Sequence, residues 1–514
     1  MVGANALLGE ELRVRLPELA RKPDLARRSG AKWSLAPMSE AEANGFGDTD
    51  SIDPLGAEDN PAADAKEGIL ARDGGHFEAL FSSGADDFAQ EASDRIRREL
   101  PGLRFAVTVG DKRLEQSTSG WSMELPVLAP CEWTGRGLAS VKVHQGDEKA
   151  AVSLEVHRRH EAALRASEGK AKDGAADKDK AQDLASLLTR ETLLATKQLP
   201  GTFDDLAAGE YLAVIHADGN GVGLATQGKS DPEKARFFHC NRVLLRGALK
   251  EAMERAGSVS DETIAPLTVL MLGGDDVLVV CRASLALRFV KDLCEKLQDL
   301  QRLDPKDQFR LTLGIGVVFA RPSVPFHRLH AVAEQLASSA KRKYRGLDPA
   351  MPASVVDWAV YTTAWADDPA EVRARDWIRG KKENQRVLSQ RPLLVLGKGL
   401  DCLNGLLDGA DKLNDAPRSQ LHYLVEQLGR GKTLAELAFE ELSDPTGDAL
   451  KAAGVRSIWI PTKEGEPLLT SVLDLGEVCE IPKLGRFKKV TAPTTPVWQE
   501  DRADGMEVVY GEAK

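Results

Sequence analysis

Closely spaced cysteines are missing. The 514-residue chain has six, at 131, 240, 281, 294, 402 and 479, and no C-x-x-C pair. Zinc ribbons and thioredoxin-like motifs are therefore unsupported, and the cysteines in apolar segments read as reduced, buried thiols. Aromatic residues are scarce at 5%, and abundant alanine points to a helix-rich or α/β chain. Long apolar runs are absent: none reaches the roughly 18 residues of a membrane span. The start, "MVGANALLGEELRVRLPELA", lacks a basic segment followed by an apolar core. We expect a cytoplasmic protein with no membrane partner. Basic excess is also lacking, the net charge being −11. Binding to duplex DNA runs on phosphate neutralisation and is not expected. The short basic clusters at Arg95/Arg97/Arg98, Lys341–Arg345, Arg379–Lys382 and Lys483–Lys489 read as solvated faces. No G-x-S-x-G offers a hydrolase nucleophile, and no His-Asp pair offers a phosphohydrolase signature.

The length allows two to four domains with ample cores, and 42% hydrophobic content fits a globular chain. Residues 38–70, rich in Ala, Asp, Glu, Gly and Pro, read as a mobile loop. The stretch "ASEGKAKDGAADKDKAQD" at 166–183 is charged and without apolar period, and marks a linker. The two sides of that linker repeat a pattern of strand, Gly-Gly, strand, helix, strand. It runs over 68–110 on one side and over 267–320 on the other. The first ribbon has Gly74-Gly75-His76-Phe77 at its tip and no acid. The second has Gly273-Gly274-Asp275-Asp276.

The second half carries the chemistry. In "YLAVIHADGNGVG" (211–223) an apolar strand ends on Asp218 and breaks into Gly219, Asn220, Gly221 and Gly223. Open sheets place ligands at such strand ends, and glycines let the backbone approach a phosphate. No G-K-[ST] follows, so this is not a P-loop. Asp275 and Asp276 follow Gly273 and Gly274 inside "LTVLMLGGDDVLVV". Buried unpaired carboxylates are costly, and a divalent metal is their natural partner. Each stretch alone also fits a plain turn or strand-to-helix loop. Together, on neighbouring strands, Asp218, Asp275 and Asp276 suit a two-metal site of Mg²⁺ or Mn²⁺ with a triphosphate. Lys341 and Arg345, four apart near the end of a helix over 329–346, could neutralise that triphosphate or match the helix dipole. His216 reads as a satisfied core residue, His327 and His330 as loop or helix-start residues, and His157 and His160 as surface.

These motifs resemble the CRISPR polymerase family, the large palm-domain subunit of type III CRISPR effector complexes. Asp218-Gly219-Asn220, the Gly273–Asp276 ribbon, the "LTLGIGVVFA" strand, Ala340-Lys341 and "SVVDW" (354–358) follow in the order of that family's second palm. GGDEF diguanylate cyclases are more distantly similar. "VGANALLGEEL" (2–12) and Gly74–Phe77 are similar to parts of the family's first palm. "CEWTGRGLA" (131–139) stands where the family often has a zinc finger, with only Cys131 present. The resemblance implies an α/β (α+β) fold of two ferredoxin-like palms, the first degenerate and the second catalytic, plus a C-terminal helical domain. Expected boundaries are 1–165 for the first palm, 166–185 for the linker, 186–365 for the catalytic palm, 366–490 for the helical domain and 491–514 for a tail. It implies a nucleotidyltransferase that joins ATP, or another NTP, into a cyclic oligonucleotide or cyclic dinucleotide in antiviral defence. Asp218, Asp275 and Asp276 carry over as metal and catalytic carboxylates. Gly219, Asn220 and Lys341 carry over as nucleotide contacts; Arg345, from its helical spacing, and Gly221, Gly223, Gly273 and Gly274, from the reading of the residues themselves, complete the expected nucleotide-binding set. A compact variant without the HD nuclease domain is expected. Its partners would be NTP and a homodimer or a CRISPR-type RNA–protein complex. A non-catalytic scaffold of such a complex and an NTP-binding sensor are the alternatives.

Overall fold

The apolar run ending at Asp218 is a strand, β1 (Leu212–Gly219). After it come α1 (Asp231–Val259), the hairpin β2 (Leu267–Leu272) and β3 (Val277–Arg282), α2 (Ala286–Leu303), β4 (Leu313–Ala320), α3 (Phe326–Tyr344) and β5 (Val355–Val360). The strands lie in the order β2-β3-β1-β4-β5, and a sixth, β6 (Leu393–Leu394), closes the far edge. All pairings are antiparallel except β4 with β5. From β1 to β4 this is the βαββαβ ferredoxin-like unit. The computed structural model describes residues 7–484 apart from 44–51, 73, 102, 111, 118–128, 135–136, 146–147, 169–183, 208–209, 260–262, 304–309, 363–367, 382–384 and 461–465. Most of the expected linker and the whole of the expected tail lie outside the described residues.

Strand residues alternate between two faces. Ala213, Ile215 and Ala217 of β1, Val277 and Val279 of β3, and Ile315, Val317 and Phe319 of β4 join the core under α1 and α2. Leu212, Val214, Leu278, Val280, Val318 and Ala320 form a second core with Leu329, Val332, Ala333 and Leu336 of α3. Cover on both faces is why these strands read as almost unbroken apolar runs. On the α3 side β4 places Gly314 and Gly316. A methyl group on Gly316 would lie 2.0 Å from the Ala333 carbonyl oxygen, and one on Gly314 would lie 2.6 Å from Lys341 Cγ. The glycines are the room that α3 occupies.

Part of the expected mobile loop is fixed. Leu55 is fully buried in the palm core. Arg246, buried in the middle of α1, donates to Asp59 at 2.5 Å and to Asp53 at 3.3 Å, and Arg72 pairs with Asp59 at 2.7 Å. Burial pushes the Asp59 carboxyl up, but the guanidinium groups of Arg246 and Arg72 outweigh it and hold it well below the carboxylate range. A buried arginine needs such partners, so the acid-rich segment is drawn onto the palm. The expected boundary at 365 is also crossed. β6 pairs with β5 from beyond it, and the helices Leu403–Lys412, Arg418–Arg430 and Val472–Glu480 bury leucines in the same core as α1 and α2. No described helix is long and apolar enough to cross a membrane.

In the first half the expected succession is present: strand Ile69–Ala71, a tip at Gly74-Gly75, strand Glu78–Ala79, helix Ala85–Glu99 and strand Arg104–Val109. The described strands pair as four separate two-stranded ribbons, however, and not as one sheet. Two of the ribbons are built from strands of two or three residues, which offer little edge for another strand to join; the strands of the other two are five or six residues long and stay apart all the same.

Gly316→Ala puts a methyl group against backbone that can only yield by moving α3. We expect a loss of about 1–3 kcal/mol in unfolding free energy, measured by denaturant titration. Gly223→Ala, which meets open space, serves as the neutral control.

Candidate active site

The parity of β1 builds the site. His216 and Asp218 are two apart and face α3, opposite Gly316 and Gly314 on β4. Asp276 precedes Val277 at the start of β3 and falls on the same face as Leu278. One ligand atom each of His216, Asp218 and Asp276 lies within 4.8 Å of the others. Asp275 lies over Gly219: a methyl group there would sit 2.6 Å from its Oδ2. The three aspartates expected from sequence therefore share one neighbourhood, with Asp275 on the Gly219 side and Asp276 against Asp218.

Lys341 reaches back from the last turn of α3, over Gly314, to hydrogen-bond and ion-pair with Asp218 Oδ2. Arg345 is exposed at the C-cap of α3, so one of the two expected phosphate contacts is at the carboxylates and the other is at the rim. Asn220 is 1% exposed. Its amide donates to Thr312 Oγ1 at 3.1 Å and its backbone N–H to the Thr312 carbonyl at 2.8 Å, tying the end of β1 to the approach to β4. Asn220 Oδ1 is buried without a partner. Gly221, at φ 69°, caps the short helix Val222–Ala225 beside the Tyr344 hydroxyl, and Gly223 faces open space. Gly221 on the Tyr344 side and Gly223 thus present backbone alone, while Val222 between them is buried in the core.

Gly273 closes the ribbon turn by donating to the Asp276 carbonyl at 2.8 Å. The tip of the first ribbon touches this one. A methyl group on Gly273 would lie 3.2 Å from Gly74 Cα, and one on Gly74 would lie 3.3 Å from the Gly274 nitrogen. A cavity of about 190 Å³ beneath the tips is bordered by Leu12, Arg13, Gly74, Gly75, Gly273 and Asp276. It is smaller than the ~300–1,000 Å³ of ligand pockets.

Burial, then the charge of Asp218 and its hydrogen bond, then the charge of Asp275, push the Asp276 carboxyl up to about 7, with Lys341 pulling it down in part. Asp276 is thus poised to exchange a proton for a cation near neutral pH. Burial, and next the neighbouring His330 ring 5.6 Å away, push the His216 imidazole down, which favours its neutral form. Two carboxylates and a neutral imidazole whose Nδ1 is buried and unpaired are a donor set that fits a divalent cation. Sequence reasoning placed His216 in the core, correctly by burial, and missed that the same parity sets it beside Asp218. The alternation itself was the available signal. Tyr344 and Thr312 had none.

In metal-free protein the upward shift of Asp276 fixes the sign of a pH effect. Between its ordinary 3.8 and about 7 the folded state keeps a proton that the unfolded state has lost. Stability is full below that window and falls as pH rises through it. Asp276→Asn has no such titration. Its melting temperature should exceed that of the parent protein by a margin that grows from about pH 4 to about pH 7 and then levels off. Parallel melts in chelator across that range check this, and a pH-independent margin would sink the assignment.

Residues 211–347 match the family model described as Cas10/Cmr2, second palm domain. No curated protein matches the chain in sequence. Among solved structures, Csm1 in T. onnurineus is similar at 15% identity and a TM-score of 0.29, covering 57% of this chain and 41% of its own. The Csm1-Csm4 subcomplex of the type III-A CRISPR-Csm interference complex is similar at 16% and 0.31, covering 55% and 37%. A Csm1-Csm4 cassette in complex with pppApApA is similar at 14% and 0.39, covering 87% and 65%. The chain spans less than two thirds of the length of each of these. Residues 211–347 are thus similar to the Cas10/Cmr2 second palm domain.

Proposed function

We propose that this protein is a metal-dependent nucleotidyltransferase that joins NTP, with ATP the substrate the family implies, into a cyclic oligonucleotide or cyclic dinucleotide. The observation that carries the reading is the convergence of Asp218, Asp276, Asp275 and Lys341 at one end of a Cas10/Cmr2-type palm sheet.

In this reading Asp218 and Asp276, with Asp275 alongside, hold Mg²⁺ or Mn²⁺. Bound there, the metal would activate a ribose 3′-hydroxyl and neutralise the triphosphate. The 3′-oxygen attacks the α-phosphorus of a second nucleotide, the bond to the bridging oxygen of the β-phosphate breaks, and pyrophosphate leaves. The hydroxyl proton passes to water. Lys341 would exchange its contact with Asp218 for the β- and γ-phosphates, so that it stays paired in both states. Backbone N–H groups from Gly221 to Gly223 would receive phosphate oxygens at close range, since no side chain stands in the way at those glycines. Asn220, held by Thr312, would keep that loop in register with Asp218. Closure of the product would need a second nucleotide site, supplied by a homodimer, by the first half of the chain or by a type III CRISPR-type RNA–protein complex.

Incubation with each NTP and Mg²⁺ or Mn²⁺, with and without RNA, should yield pyrophosphate and a cyclic product by mass spectrometry. The Asp275→Ala/Asp276→Ala double variant should lose both by at least about a hundredfold while its circular dichroism is unchanged. Product that survives the double substitution would refute the site. Nucleotide bound without pyrophosphate would refute catalysis and leave the sensor or scaffold role.

A further inference from the structure

We infer that His216 is a metal ligand in its own right, and that it turns the Asp218/Asp276 site away from Mg²⁺ and toward Mn²⁺ or Co²⁺. The inference rests on the proposed metal site and adds a ligand and a selectivity to it. Three observations converge on it. His216 shares the α3-facing side of β1 with Asp218, and a ring nitrogen lies within 4.8 Å of oxygens of both Asp218 and Asp276. The histidine is 8% exposed, so water reaches it poorly. Its Nδ1 is buried and makes no hydrogen bond. A buried nitrogen without a partner is unfavourable, so the imidazole has bonding capacity left over for a cation shared with the two carboxylates.

The rest of the surroundings offers little else to occupy the imidazole. Across β3 and β4 it faces Leu278 and Gly316, one apolar and one without a side chain. The His330 ring meets it edge to face at 5.6 Å, a packing contact that fixes its plane. Donor chemistry then sets the preference. Mg²⁺ is a hard ion that takes oxygen ligands and gives up water reluctantly. A nitrogen donor raises affinity for first-row transition ions along the Irving–Williams order. A site of two carboxylates and one imidazole should therefore discriminate where a site of carboxylates alone would not.

The test measures binding, apart from activity. Free Mn²⁺ is titrated by electron paramagnetic resonance against full-length protein, with Mg²⁺ as competitor, for the parent, His216→Gln, His216→Ala and Asp276→Ala. We expect Mn²⁺ affinity to fall about tenfold or more in both histidine variants, Mg²⁺ affinity to hold, and spin-echo modulation from a directly bound nitrogen to vanish with them. Asp276→Ala should lose both ions. Unchanged Mn²⁺ affinity in folded His216→Gln, or no nitrogen coupling in the parent, overturns the role of His216 alone. Mn²⁺ binding that survives in folded Asp276→Ala overturns the metal site itself, and the histidine's role with it.

Discussion

The close approach of α3 to β4 is the constraint on which the site depends. Without side chains at Gly314 and Gly316 the helix backbone comes down onto the sheet beside Ala333 and Ala337. That contact covers His216, while Asp218 and Asp276 on the same face stay partly exposed. It also brings Lys341 from the last turn of α3 to Asp218. The same two glycines therefore set the cover over His216 and the counter-charge on Asp218. A larger residue at either would lift the helix and weaken both.

The palm was largely legible in the sequence because its signals are local and mutually consistent. Apolar runs bounded by Gly-Gly and by an acid at a strand end give strands, and helical period between them gives the βαββαβ order. The carboxylates were legible because a charge in an apolar run is anomalous wherever it occurs. Less visible were features that depend on partners far along the chain. The acid-rich segment before residue 60 looks like a loop until Arg246 in the middle of α1 claims Asp53 and Asp59. The same holds for Leu393–Leu394, two residues with no strand signature of their own, which become an edge strand because β5 offers them a partner. His216 differs again. Its burial was read correctly, and what the reading left out is that its neighbours on the same face are carboxylates.

The first half of the chain relates to the second through its ribbon tip. Gly74 and Gly273 approach backbone to backbone, at a separation that a single Cβ on either side would disturb. An acid at the first tip would add a fourth carboxylate beside Asp276, whose ionisation is already opposed by Asp218 and Asp275. The acid-free tip is thus compatible with close contact in a way that a second acidic tip would not be. The asymmetry between the two ribbons has an electrostatic rationale, whatever its history.

Lys341 completes the argument about charge. Asp218, Asp275 and Asp276 crowd one end of the sheet, and in the metal-free state that crowding is relieved in two ways. Lys341 pairs with Asp218, and Asp276 holds a proton to a higher pH than a carboxylate ordinarily does. In the proposed function both are exchangeable: a cation would displace the proton, and a triphosphate would compete for the ammonium. An arginine in that place would grip a carboxylate bidentately and release it less readily. A lysine is a point charge on a flexible stem, able to swing between a carboxylate and a phosphate without leaving either buried and alone. In the proposed function the charges of the metal-free site are thus balanced by groups that substrate and metal would replace one for one.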